Sequence, residues 1–365
     1  MAHIGGLPDR RALTPRFFAP ALFFVALLPR IVSLGTFITW DEPMWAYRSI
    51  RFLSALLRWD LSETFLVGHP GVVTMICGSI GVAVRRFVLG HGAADFAWLS
   101  ELPSLDPWNV EALRRLGPFL LAAKVPMAVF NAACVAGIYS LTRRFLDTRT
   151  AILAALLVAL DPFHLALSRV LHIDAAAANL MTLSVLGLLV YLRHHSRSCL
   201  LLSGALAGAA LLTKSYSLFL PPFTGFLLAA ACLVRRQNLR EVAWSFVLWC
   251  LGAAGVFFAL WPAMWVDPIS TVQSVFSTAF GYAATLSETS EFFLGRVWDD
   301  PGSLFYPVAI AFRTIAHIWM SLLAIVIRTV GNLRDPRSRT LASLRQSGTM
   351  IFLVYAGLFT VLMSL

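Results

Sequence analysis

A chain of 365 residues that is 58% hydrophobic and only 13% charged, with a mean hydropathy of +0.75, is too apolar for a soluble fold and reads as a polytopic membrane protein. The formal charge of +10 at pH 7 would suit nucleic acid, but the basic residues fall in short clusters between apolar runs, as in cytoplasmic loops facing anionic lipid, so no nucleic-acid partner is expected. The five cysteines, Cys77, Cys134, Cys199, Cys232 and Cys250, are scattered through apolar segments without ligand spacing and read as small packing residues.

In chain order, the first apolar run follows Arg10, Arg11 and Arg16 and carries no small-residue cleavage site, so it is expected to stay as an anchor. Nine runs are long enough, or paired tightly enough, to cross a bilayer core of roughly 30 Å. They lie near 17–38, 122–141, 150–166, 175–192, 199–213, 215–234, 242–261, 305–331 and 349–365. A further stretch, Val72 to Val84, is interrupted by Arg85-Arg86 and suits an interfacial or re-entrant helix better than a span. Leaving it out puts Arg143, Arg144 and Arg149, then Arg193 and Arg197, then Arg235, Arg236 and Arg240, then Arg328, Arg334, Arg337, Arg339 and Arg345 on the N-terminal side, which the positive-inside rule makes cytoplasmic. Of the acids, Asp9, Asp147, Glu241 and Asp335 then face inward and the rest outward. The expected architecture is an all-α helical bundle of about nine spans forming one transmembrane domain over 1–365. It sits in the plasma (inner) membrane, with the N-terminus cytoplasmic.

Two outer segments are large, from about Thr39 to Leu121 and from about Trp261 to Leu304. The first opens with Thr39-Trp40-Asp41-Glu42-Pro43, two adjacent carboxylates where the first apolar run stops. Like charges that close raise one another's pKa, so the pair demands water, a cation or a substrate proton as compensation. Either it is a solvated loop beside a helix, or it is a site. After it, Trp45, Ile50, Leu53, Leu56 and Leu57 recur at helical spacing while Arg48, Arg51 and Arg58 lie off that stripe, which predicts a helix on the membrane surface or against the bundle. Only two of the 29 basic residues are lysines, Lys124 and Lys214, so each calls for its own explanation. Lys214 is either a snorkelling anchor or a functional cation. Trp261 and Trp265 flank Pro262 as an interfacial aromatic belt or, second, a sugar platform. Asp299-Asp300 with Glu288 and Glu291 lacks accompanying ligand spacing, so a divalent cation is not predicted.

The order Trp40-Asp41-Glu42, Gly68-His69-Pro70-Gly71, Lys124-Val125-Pro126, Arg143-Arg144, Ser168-Arg169, His172-Ile173-Asp174 and Thr213-Lys214 resembles the protein O-mannosyltransferase-like family, membrane glycosyltransferases of the C-type fold that include the lipid A aminoarabinose transferases. Phe292-Phe293-Leu294-Gly295, Asp300-Pro301-Gly302 and Phe305-Tyr306-Pro307 extend the likeness through the last outer segment. The resemblance implies transfer of a sugar from a polyprenyl-phosphate donor to a protein, lipid or glycan acceptor on the outer face, with no further cofactor. It also implies that Asp41 takes the acceptor proton and that Glu42 holds the loop or the acceptor. It implies too that Asp174 is a second positioning acid, with helix capping as the alternative. A phosphate leaving group needs cations more than a general acid, and Arg169 and Lys214 are the candidates, with His69 behind them. Gly71 stands where relatives carry a second proline, and the chain stops at Leu365 inside an apolar run, where relatives continue. A polyprenyl-lipid transporter or a non-catalytic membrane subunit would share such a bundle without the chemistry.

Overall fold

A computed structural model of the chain describes residues 17–235, 238–285, 290–299 and 302–314, together with positions 319, 320, 323 and 327. The run 349–365, Glu288 and Asp300 lie outside the described residues. Among those described the protein is all-α but for one two-residue-turn hairpin, and it is an integral membrane protein. Among the described residues four helices are long and apolar enough to cross a membrane, or five if one bent pair counts as a single span.

Helix α1 (Phe18–Ile31) is the first among the described residues and is shorter than the run 17–38 predicts, because Ser33 takes a positive φ of 58° and turns the backbone away. Helix α2 (Glu42–Leu57) begins with Pro43 in its first turn and buries Trp45, Ile50 and Leu53 of the stripe expected from spacing, while Leu56 is half-buried and Leu57 is exposed. Helix α3 (Val72–Ala83) is the short helix expected over Val72 to Val84. It is buried among α2 and its neighbours because Gly78 and Gly81 let backbones approach. A Cβ on Gly81 would lie 2.1 Å from the Ala122 carbonyl oxygen, and one on Gly78 would lie 2.1 Å from Ser49 Oγ.

After α4 (Ala93–Glu101), the long α5 (Val110–Phe145) starts at an Asn109 cap whose side chain accepts from Ala112 N. The segment from Thr39 to Leu121 therefore contains several helices, and its last residues already belong to α5. The run 150–166 is two helices, α6 (Thr148–Leu160) and α7 (Pro162–Ser168), bent by 63°. Asp161 accepts from His164 N and Pro162 supplies the fixed φ of a first helical residue, so this pair ends one helix and starts the next. Helices α8 (Asp174–His194), α9 (Arg197–Leu211), α10 (Leu220–Arg235) and α11 (Leu239–Leu260) follow.

Beyond them lie α12 (Ala263–Val266), α13 (Pro268–Thr285), the hairpin β1 (Glu291–Phe293) and β2 (Arg296–Trp298), and α14 (Phe305–Arg313). Leu294 and Gly295 both take positive φ, the requirement of the two-residue turn that joins these strands. Trp261 corrects an expectation. It is fully buried, stacked on Phe65 with its Nε1 donating to the Thr64 carbonyl, whereas Trp265 remains exposed. Only the second can face an interface.

Candidate active site

The loop between α1 and α2 is pinned from inside the bundle. Lys124, 2% exposed on α5, lies 2.9 Å from the carboxylate of Glu42, itself 0% exposed, and donates to the carbonyls of Leu34 and Phe37. Glu42 also accepts from the backbone N–H of Thr39 at 2.8 Å and of Leu171 at 3.0 Å. Both charges are thus paired and hydrogen-bonded, the condition under which a buried ion pair is tolerated. The consequence is positional, because one carboxylate ties the 34–42 loop to α5 and to the segment between α7 and α8.

That tie leaves Asp41 outward. It occupies the N-cap position of α2 without using its side chain as a cap, and its side chain is 63% exposed. Asn109, Asp147, Asp161 and Asn238 cap their helices with their side chains, whereas the Asp41 side chain does not. His172 Nε2 lies 3.4 Å from Asp41 Oδ2, and His172 Nδ1 lies 3.3 Å from Asp174 Oδ2. Lys214 Nζ completes the line at 2.6 Å from Asp174 Oδ1. Asp174 lies in the first turn of α8, whose N-cap position is Ile173, and Lys214 is an ion-pair partner as well as a cation over the Tyr216 ring.

His69 reaches the same place through packing. The Trp45 ring lies 5.8 Å from His69 and 6.5 Å from His172, so both imidazoles rest on one indole, with the Arg48 guanidinium over it at 4.7 Å. Burial first, then the nearby charges of Arg48 and Lys214, push the His69 imidazole down to about 4, leaving it neutral at neutral pH. Gly71 explains its own departure from proline. Its φ of 60° is closed to proline, and a Cβ there would lie 2.3 Å from the Trp45 ring. Val72 N then donates to the Leu212 carbonyl at 2.7 Å, tying the His69 loop to the residue just before Thr213-Lys214.

Arg169 stands apart from this line. Its guanidinium donates to the Val32 carbonyl and sits 5.7 Å over the Phe37 ring, on the flank of the pinned loop. Behind it runs a chain of buried polar side chains. Arg30 donates to the carbonyls of Ala26 and Ala159 and lies 3.1 Å from His164 Nδ1; His164 Nε2 meets Asn179 Oδ1 at 3.0 Å. Asn179 donates to Asn131, and Asn131 to the Ser168 carbonyl. Arginine only donates, so His164 accepts at Nδ1 and carries its proton on Nε2. This chain anchors the start of the segment that carries Arg169, His172 and Asp174. Among the described residues no group of three or more His, Cys, Asp or Glu side chains is placed to hold a metal ion. The imidazole of His172 separates the two carboxylates it joins.

Sequence reasoning brought together Asp41, Asp174, Lys214 and His69, but missed the bridge, His172, and the tie, Lys124. A histidine at a helix entrance and a lysine inside an apolar run have bland readings by default, and only the fold sets them against Asp41 and Glu42.

Comparison with known proteins follows this geometry. The family model described as dolichyl-phosphate-mannose-protein mannosyltransferase matches residues 103–265, a segment that includes Lys124, Arg169, His172, Asp174 and Lys214 but not Asp41, Glu42 or His69. This match, over somewhat less than half of the chain, supports the O-mannosyltransferase-like family. Comparison with curated proteins gives no match. Among solved structures the chain is similar to the S. cerevisiae protein O-mannosyltransferase Pmt1-Pmt2 complex bound to the sugar donor, at 18% identity and a TM-score of 0.47, covering 73% of this chain and 35% of that one. The chain thus spans about a third of the length of that relative.

Proposed function

We propose that this protein is a membrane glycosyltransferase that moves a sugar from a polyprenyl-phosphate-linked donor to an acceptor hydroxyl on the outer face of the plasma membrane, with Asp41 as the base. The observation that carries this is the exposed, uncapped carboxylate of Asp41 at the end of a line of charge that terminates in Lys214, while its neighbour Glu42 is consumed in holding the loop. The family-model match supports the chemistry to be expected of that arrangement.

Attack on an anomeric carbon passes through an oxocarbenium-like state and needs a carboxylate to take the acceptor proton opposite the leaving group. The leaving phosphate needs cations, which Lys214 and, from the flank, Arg169 supply. Lys214 is shared between Asp174 and the phosphate. Asp174 holds Lys214 in place, and neutral His69 contributes a hydrogen-bonding ring rather than a charge.

The test is transfer of sugar from polyprenyl-phosphate hexose by membranes carrying wild type, Asp41→Asn or Lys214→Ala, with mass spectrometry of the product. The wild type is expected to transfer. Asp41→Asn should insert normally and lose about 10²- to 10⁴-fold in rate, because the amide cannot accept the proton. Lys214→Ala should lose more than an exposed charge change would. Transfer at the wild-type rate by Asp41→Asn would overturn the assignment of the base, and a nucleotide sugar used without any lipid carrier would overturn the donor.

A further inference from the structure

His172 is the member of the cluster to which no role has so far been given. Its ring stands between two carboxylates, with Asp41 Oδ2 at 3.4 Å from Nε2 and Asp174 Oδ2 at 3.3 Å from Nδ1. A third group competes for Nδ1, because the backbone N–H of Asp174 points at it from 3.4 Å. These two Nδ1 contacts are mutually exclusive. Accepting from the backbone N–H requires a bare Nδ1, which puts the proton on Nε2 facing Asp41. Donating to the Asp174 carboxylate requires a protonated Nδ1, which leaves the Nε2 lone pair facing Asp41. The surroundings therefore support both tautomers, and the second can receive a proton from Asp41.

Resting on the reading of Asp41 as the base, we propose that His172 is the proton relay behind it. The acceptor oxygen forms its bond to the anomeric carbon while the carbon–oxygen bond to the phosphate breaks and the phosphate leaves with that electron pair. The acceptor proton passes to Asp41 and from there to His172 Nε2. The imidazolium so formed lies between the carboxylates of Asp41 and Asp174, with Lys214 closing the line, and it releases its proton to water once the product has left. Without the relay, Asp41 would hold the proton until water reached its exposed edge past the bound product. With it, Asp41 is again an anion while the product departs. The charged and titratable groups facing the ring are Asp41 at the head of α2, Asp174 on α8, Lys214 after α9, and His69 and Arg48 across the Trp45 indole. The ring is 17% exposed, sheltered enough to be held in place and open enough to lose a proton to solvent. His172 acts through Asp41 and is therefore a positioning and proton-handling residue.

The variant is His172→Gln, which keeps a polar side chain of similar reach but cannot change its protonation. Wild-type transfer from polyprenyl-phosphate hexose should rise with pH, because only a ring with a free Nε2 lone pair can take the proton from Asp41. In His172→Gln the rate at neutral pH should drop by about tenfold or more and that rise should disappear. A second measurement needs no turnover. In detergent-purified protein labelled with ¹⁵N-histidine, the His172 signal, assigned by its loss in His172→Gln, should bind its proton more weakly in both Asp41→Asn and Asp174→Asn, because each removes a carboxylate that stabilises the imidazolium. Transfer by His172→Gln with the wild-type pH profile, or a His172 titration unmoved by both carboxylate variants, overturns the relay and leaves Asp41 as base intact. A wild-type protein inert toward every lipid-phosphate sugar overturns the proposed function itself, and the relay with it.

Discussion

Asp41 and Glu42 are neighbours in the chain, yet they belong to two regions with opposite physics. Glu42 is part of the interior, where it meets Lys124 and two backbone donors and both ionic side chains are 2% exposed or less. The Arg30, His164, Asn179 and Asn131 chain is of the same kind. Asp41 belongs to the open edge, where Asp174 and Lys214 retain about a third of their exposure and Asp41 nearly two thirds. The difference separates holding from reacting. A buried charge commits most of its bonding capacity to interior partners, so it has little left for a substrate. The exposed groups can exchange partners and protons because water covers what they leave unmet.

Breaking the interior side should have the largest effect. Lys124→Ala leaves the Glu42 carboxylate buried and unpaired, and about 3–5 kcal/mol of stability should be lost, seen as early thermal aggregation on size exclusion in detergent. The paired Glu42→Gln/Lys124→Met change should recover much of it. A Lys124→Ala protein as stable as wild type but dead in transfer would move this tie from the scaffold into the site. A smaller loss, roughly 1–3 kcal/mol, is expected for Gly71→Ala, which forces a side chain into a left-handed backbone position and against Trp45. Because the His69 and His172 rings lean on that indole, transfer should fall further than stability alone explains. Unchanged transfer at reduced stability would show that the open edge does not depend on the Trp45 platform.

The smallest effect concerns acid. The His69 imidazole is held down to about 4 against an ordinary 6.5, so the unfolded chain binds the proton first as pH drops. Stability from this group is intact above 6.5 and is lost as pH falls toward 4. His69→Gln should flatten the acid side of a melting-temperature profile in that window and leave the neutral side unchanged. An identical acid limb in the variant would show that another group titrates there.

Much of this was legible from the chain, and for particular reasons. The apolar stripe through Trp45, Ile50 and Leu53 marked α2, because helical period and burial leave a direct imprint on residue order. The Asp41-Glu42 pair marked a candidate site, because two adjacent carboxylates at the end of an apolar run demand compensation. The division of labour within that pair was not legible. It depends on Lys124, 82 positions away on another helix, and on the turn of α2 that points one side chain in and the next one out. The length of Val72 to Val84 marked a short interfacial or re-entrant helix but not its packing among α2 and α5, which Gly78 and Gly81 allow, since small residues show their use only against a partner backbone. Trp261 was read as a belt residue because of its proline and aromatic company, and the stack on Phe65 buried it.

The sequence by itself determined that this is a helical membrane protein with its carboxylates gathered at helix ends, because lipid admits few charges and every apolar run must satisfy its own backbone. Tertiary structure alone decided that His172 stands between Asp41 and Asp174, that Lys214 answers Asp174, and that Glu42 answers Lys124. Those pairings join residues far apart in the chain, and electrostatic partnership is a matter of a few ångströms in space that no local pattern of residues encodes.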